Sequence, residues 1–181
     1  MIVFFGPVGA GKSVQGKMLG TKQNWQWIST GDIFRQSTDP EVQAILASGR
    51  LISSEQTYQV LGHALENVRH QQIILDGFPR RKEQAEWLLA NQVKYDFTVD
   101  LVIVINVEKD EILKRLATRG RAEDDVAIIE DRLKIYHDEV DPILQYLTDN
   151  NIPVEYINGV GGMDTVHSII MDKIVEHKLA A

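Results

Sequence analysis

The chain has 181 residues, of which 44% are hydrophobic and 25% charged, with no cysteine and a formal net charge of −7. That length suits one domain with its own core, and the lack of cysteine excludes disulfides and thiolate metal sites. The acidic balance argues against general nucleic-acid binding, and no leader pattern or membrane-length apolar run is seen, so a cytoplasmic protein with neither membrane nor nucleic-acid partner is expected.

In chain order, Ile2–Phe5 reads as a short apolar strand that runs straight into GPVGAGKS, residues 6–13. A helical pattern covers Lys12–Lys22, and Trp27–Ser29 reads as a second strand. STGDIFR follows at residues 29–35, where Ser29 or Thr30 would cap a helix and Arg35 would project near the same edge. Helical patterns over Glu41–Ser48 and Glu55–Arg69 lead to a strand at Ile73–Leu75 and to LDGFPR, residues 75–80. Then come a helix at Lys82–Asn91, a nearly continuous apolar strand at Leu101–Val107, and helices at Asp110–Thr118 and Asp125–Leu147. A last strand at Val154–Ile157 and a helix at Asp164–His177 close the chain. Alternation of strands and helices predicts an α/β fold with a five-stranded parallel sheet covered on both faces. In such sheets ligands sit at the carboxyl ends of the strands.

The glycine loop has the form of a phosphate cradle. Its backbone N–H groups and the following helix N-terminus favour an anion. Lys12 would reach the outer phosphates, and Ser13 would place its hydroxyl on Mg²⁺. A glycine-rich turn with a surface lysine is the plain alternative, which the strand before and the helix after disfavour. Asp76 falls at a strand's carboxyl end, where a carboxylate can hold Mg²⁺ directly or through water, and Arg80 offers a fork to a phosphate. Asp-Gly and Phe-Pro are also ordinary turn signals.

Arginines are dense later in the chain. Arg115 and Arg119 are four apart, hence expected on one helical face, and Arg121 and Arg132 are eleven apart, close to three turns. Four arginines converging on one place is what a transferring phosphoryl group needs. A surface pair between Glu111 and Arg115 is the competing explanation. All five histidines read as surface residues, and the Trp25/Trp27 alternation reads as core and rim.

Taken together, GPVGAGKS, STGDIFR, GRLI (49–52), DGFPR with Gln84 four beyond, RLATRGR (115–121) and Arg132 resemble the nucleoside monophosphate kinases, most closely the adenylate kinase family. The resemblance runs from Ile2 to about Ile170, with the motifs in family order. It implies a phosphate-loop kinase in one domain spanning 1–181, with a helical acceptor-binding segment at about 30–60 and a very short lid at about 115–125. It implies ATP phosphates over Gly9, Ala10, Gly11, Lys12, Ser13 and Val14, with the ATP base near Arg115 and the segment Asn158–Gly162, Gly161 included. AMP would meet Thr30, Arg35, Leu51, Ile52, Gly77, Arg80 and Gln84. Lys12, Arg80, Arg119, Arg121 and Arg132 would grip the phosphoryl groups.

The reaction implied is ATP·Mg + AMP ⇌ 2 ADP, by a monomer that uses Mg²⁺ and no zinc. Two features depart from the family pattern: Ser13-Val14 replaces the usual Gly-Thr after the loop lysine, and Glu123-Asp124 replaces a pair of aspartates. Two other readings are a kinase for UMP or CMP, and an adenine-nucleotide-binding regulator without catalysis. Thr30 and Gln84 are the residues that AMP-using relatives carry.

Overall fold

A computed structural model describes residues 1–121 and 123–180. Its sheet has five parallel strands in the order β2–β3–β1–β4–β5, formed by Ile2–Phe5 (β1), Gln26–Ser29 (β2), Ile73–Asp76 (β3), Leu101–Asn106 (β4) and Val154–Asn158 (β5). Residues alternate between the two faces as strand geometry requires. Val3, Phe5, Leu75, Val102 and Val104 face one core, while Ile2, Phe4, Ile74, Ile103 and Ile105 face the other.

The first core is closed by the helices Ser54–Glu66 (α4), Lys82–Ala90 (α5), Gln92–Tyr95 (α6) and Val126–Asp149 (α8). The second is closed by Lys12–Gln23 (α1) and Met163–Glu176 (α9). The helix Lys109–Ala117 (α7) packs on the start of α8 and on Val8 through Ile112, Leu116, Ile129 and Leu133. Thr30–Arg35 (α2), Pro40–Ala47 (α3) and the first half of α4 form a separate lobe. That lobe has a small core of its own, Phe34, Val42 and Ile52 backed by Ile45, Leu46 and Val60. Among the described residues no helix is long and apolar enough to cross a membrane.

Several helix starts follow from side-chain caps. Ser29 accepts from the Asp32 N–H, Asp39 from Glu41, Ser53 from Gln56 and Asp125 from Ala127. The predicted strands all form: β1 has the bounds expected, and each of the other four differs by one residue at one end. Asp125 is the cap of α8 and not its first turn, and α6 carried no periodic signal in its four residues. Two expectations need correction. His167 is not a surface residue: it is buried (5% exposed), on the face of α9 that meets the second core. Arg119 lies beyond the last helical residue of α7, and Arg121 precedes α8, so neither arginine pair shares a helical face.

Candidate active site

The carboxyl ends of β1, β2, β3 and β5 open on a cleft of about 470 Å³. Its floor is the glycine loop, where Gly9 and Gly11 have φ of 79° and 100°. Gly11 is the N-cap of α1 in a left-handed conformation, so the turn into the helix needs a residue without a Cβ. With no side-chain cap on α1, its first N–H groups face the cleft with their partial positive charge. Ala10 and Val14 belong to the same loop-and-helix wall.

Lys12 crosses under the loop, and its Nζ donates to the carbonyls of Gly6 (2.6 Å) and Pro7 (2.8 Å). Burial pushes its pKa down to about 8; Asp76 opposes the shift, while Arg80, Arg132 and Arg119 add to it. Ser13 Oγ donates to Asp76 Oδ2 at 2.6 Å, and Asp76 is 2% exposed at the end of β3. A hydroxyl beside a buried carboxylate is an all-oxygen donor set of the kind that suits Mg²⁺ with its retained waters. Among the described residues no cluster of three or more His, Cys, Asp or Glu forms a metal cage of protein ligands alone.

Arg115 pairs with Glu111 through Nε at 2.8 Å, as the surface alternative required. It does more than that. Nη2 donates to Gly159 O at 2.9 Å and Nη1 to Ala10 O at 3.5 Å. The guanidinium thus ties α7 to the glycine loop and to the segment after β5, whose Gly161 also lines the cleft.

Three other arginines meet on a carboxylate to which no sequence motif assigns a role. Glu123, 7% exposed, has Oε1 at 3.8 Å from Arg35 Nη1 and 3.9 Å from both Arg121 Nη1 and Arg132 Nη1. These arginines come from α2, the connection before α8, and α8 itself. Burial and neighbouring cations lower the pKa of Arg132 to about 10, and burial beside Arg35 and Arg119 lowers that of Arg121. Arg119 forms a fork with Asp124, through Nε at 2.9 Å and a second contact from Nη2, and Asp124 also accepts the Arg121 N–H at 3.0 Å. Four arginines crowded at one edge need counter-charge, and that need was the available signal for Glu123 and Asp124. The short lid expected at 115–125 includes Ala122, which lies outside the described residues; Gly120 within it has a φ of 71°.

Adjoining the cleft at Gly31, Gly77 and Arg80 is a second, smaller pocket, also lined by Thr30, Phe34, Leu51, Ile52, Thr57 and Gln84. Thr30 Oγ1 and Arg80 Nε both donate to Gly77 O, at 2.9 and 2.8 Å. Arg35 pairs with Asp32, which also holds Lys17 at 3.2 Å. Six of the seven residues expected around an acceptor thus line one pocket, which shares Gly31, Gly77 and Arg80 with the larger cleft; the seventh, Arg35, lines the larger cleft.

A phosphate loop facing clustered arginines, with a second pocket adjoining the cleft, defines the class: a phosphate-loop kinase acting on a small phosphorylated acceptor. Residues 4–152 match the family model described as adenylate kinase. Similar proteins include the adenylate kinases of Mycolicibacterium smegmatis, Mycobacteroides abscessus and Mycolicibacterium paratuberculosis, at 35%, 38% and 36% identity. Each alignment spans 172 residues, covering 91% of this chain and 93% of the relative. The chain belongs to the adenylate kinase family.

Proposed function

We propose that the chain catalyses reversible transfer of a phosphoryl group from ATP to AMP, giving two ADP. The observation that carries the reading is the approach of Arg35, Arg121 and Arg132, all lining the phosphate-loop cleft, to within 3.8–3.9 Å of one buried carboxylate. Three guanidinia held so close need an anion, and a group in transfer spreads negative charge over its equatorial oxygens. In this reading the phosphate of the acceptor and the γ-phosphoryl of the donor take over the arginines from Glu123. Arg80, Arg119 and Arg132 fix the in-line geometry, and Lys12 moves from the loop carbonyls to the donor phosphates.

The bond formed joins an AMP phosphate oxygen to the γ-phosphorus, and the bond broken frees the β-phosphate oxygen as ADP leaves. The attacking oxygen is already anionic, so no proton has to move and no general base is needed. Alignment and charge neutralisation supply the acceleration. Ser13 and Asp76 would hold Mg²⁺, directly or through water, and the ion when bound neutralises phosphate charge. The lobe at about 30–60 would act as the acceptor segment and residues 115–125 as the lid of a single domain. With so short a lid, exclusion of water rests on arginines clamped to both nucleotides.

Thr30 and Gln84 at the acceptor pocket favour AMP over pyrimidine monophosphates. A coupled assay with ATP against AMP, CMP, UMP and GMP tests the reading. AMP is expected to lead by at least about a hundredfold in kcat/KM, because a site built to hydrogen-bond one base leaves its groups unpaired with another. Equal rates with CMP would move the chain to the pyrimidine kinases, and no transfer to any acceptor would leave a regulator.

A further inference from the structure

Gln84 lines the acceptor-side pocket and is 2% exposed, so what its amide can offer a ligand depends on what the protein has already used. The backbone N–H of Arg80 lies 2.7 Å from one end of the amide. A backbone N–H can only donate, so that end is the carbonyl Oε1. The other end, Nε2, lies 3.2 Å from Ser54 Oγ at the first turn of α4. Ser54 Oγ is itself 2.7 Å from Glu83 Oε1, and an ionised carboxylate can only accept, so the hydroxyl proton points there. Toward Gln84, then, Ser54 can only accept, and Arg81 Nη1 at 3.5 Å fills its remaining lone pair. Both ends of the amide are held in one sense. A flip would set Nε2 against a donor and Oε1 against an oxygen whose proton is taken.

Each end keeps one free capacity: a second lone pair on Oε1 and a second hydrogen on Nε2. An acceptor beside a donor is the complement of a 6-aminopurine edge, where an amino group donates and N1 accepts. It mismatches a 6-oxopurine edge, where the carbonyl accepts and N1–H donates. The flipped amide would read the two edges the other way round. We propose that Ser54, oriented by Glu83, locks the Gln84 amide against flipping and is thereby a specificity-determining residue that separates AMP from 6-oxopurine monophosphates. The inference rests on the reading of this pocket as the acceptor's.

The test is calorimetric affinity for AMP and for inosine monophosphate, measured on the wild type, Ser54→Ala, Ser54→Thr and Glu83→Gln. Wild type should prefer AMP by at least about a hundredfold. Ser54→Ala should narrow that ratio at least about tenfold, with weaker AMP and tighter inosine monophosphate binding. Ser54→Thr, which keeps the hydroxyl, should restore the ratio. Glu83→Gln should narrow it in part, because its amide can donate to Ser54 and release the hydroxyl proton toward Gln84. An unchanged ratio in Ser54→Ala, or an equal loss for both nucleotides, would make Ser54 a mere contact between α4 and α5 and overturn the lock. If Ser54→Ala does not fold, an unchanged ratio in Glu83→Gln overturns it instead. Binding keeps this test apart from the kinase reading. AMP held but never phosphorylated would sink the kinase while the ratios still judge the lock, and a wild type without preference for AMP sinks the lock alone.

Discussion

On the donor side of the cleft the ligand-facing groups are largely backbone, the glycine loop and the start of α1, and they stand on the central strand of the sheet. On the acceptor side they are mostly side chains, shared between the main body (Arg80 and Gln84) and a lobe whose own core is Phe34, Val42 and Ile52 with a few partly buried neighbours. A backbone cradle seated on a sheet has little freedom to move. A lobe with a core that small, joined to the main core through the second half of α4, can shift as a unit. Leu61 and Leu65 of α4 are fully buried in the main core, so the helix itself spans the boundary. The contrast teaches where binding energy and where selectivity reside: phosphate affinity in the backbone cradle, choice of base where the lobe's Thr30, Leu51 and Ile52 face Gln84 of α5.

The comparison is tested hardest at Lys12. Lys12→Met should leave the fold intact by circular dichroism and lower kcat by at least about a thousandfold, since it removes charge from the transferring group. Turnover near wild type would show that the cradle does not serve the reaction. Next comes the arginine cluster that joins the halves. Arg121→Lys keeps the charge and loses the fork. It should lower transition-state stabilisation by about 2–4 kcal/mol, read as kcat beside the surface control Lys178→Arg. Equal behaviour of the two variants would remove Arg121 from the mechanism.

A smaller effect, confined to the acceptor half, is expected at Gly49. It has a φ of 73°, and a Cβ there would fall 2.5 Å from Ile128 Cγ2 and 3.3 Å from the Arg132 stem. This is where the lobe rests on α8. Gly49→Ala should cost about 1–2 kcal/mol from strain and crowding and raise KM for AMP several-fold more than KM for ATP. Equal changes in both would argue that the halves do not move separately.

The smallest signal is a proton. Phosphates favour charged Lys12, so binding ATP should raise its pKa from about 8 and draw a proton from solvent. Near pH 8 the uptake should approach about half a proton, seen by calorimetry in buffers of different ionisation enthalpy. It should fade well below that pH, where Lys12 is already charged. Lys12→Met should abolish it; persistence in that variant would assign the proton elsewhere.

Much of this architecture was legible in the sequence because its causes are local. Apolar runs of strand length, glycines at fixed spacing and caps such as Ser29 announce themselves within a few residues. So do Lys12 and Ser13 at the start of α1 and Asp76 at the end of β3, whose positions follow from chain order alone. The arginine geometry was not legible in the same way. Spacing placed Arg119 and Arg121 on helices, yet both fall in the connection between α7 and α8. Their alignment comes instead from counter-ions, Asp124 for Arg119 and Glu123 for Arg121. Glu123 gathers arginines from α2 and α8 that are distant in sequence, and no period encodes such a meeting. His167 went wrong for a related reason: one polar residue on an otherwise apolar helix face can be buried, and periodicity does not report which.

The most direct test of the account begins with ADP alone and Mg²⁺. A catalyst that joins two nucleotides across one arginine cluster must run backwards, so ATP and AMP should appear in equal amounts until equilibrium, followed by phosphorus NMR. AMP and free phosphate without ATP would show hydrolysis, no change at all would show binding without transfer, and either result would contradict the account.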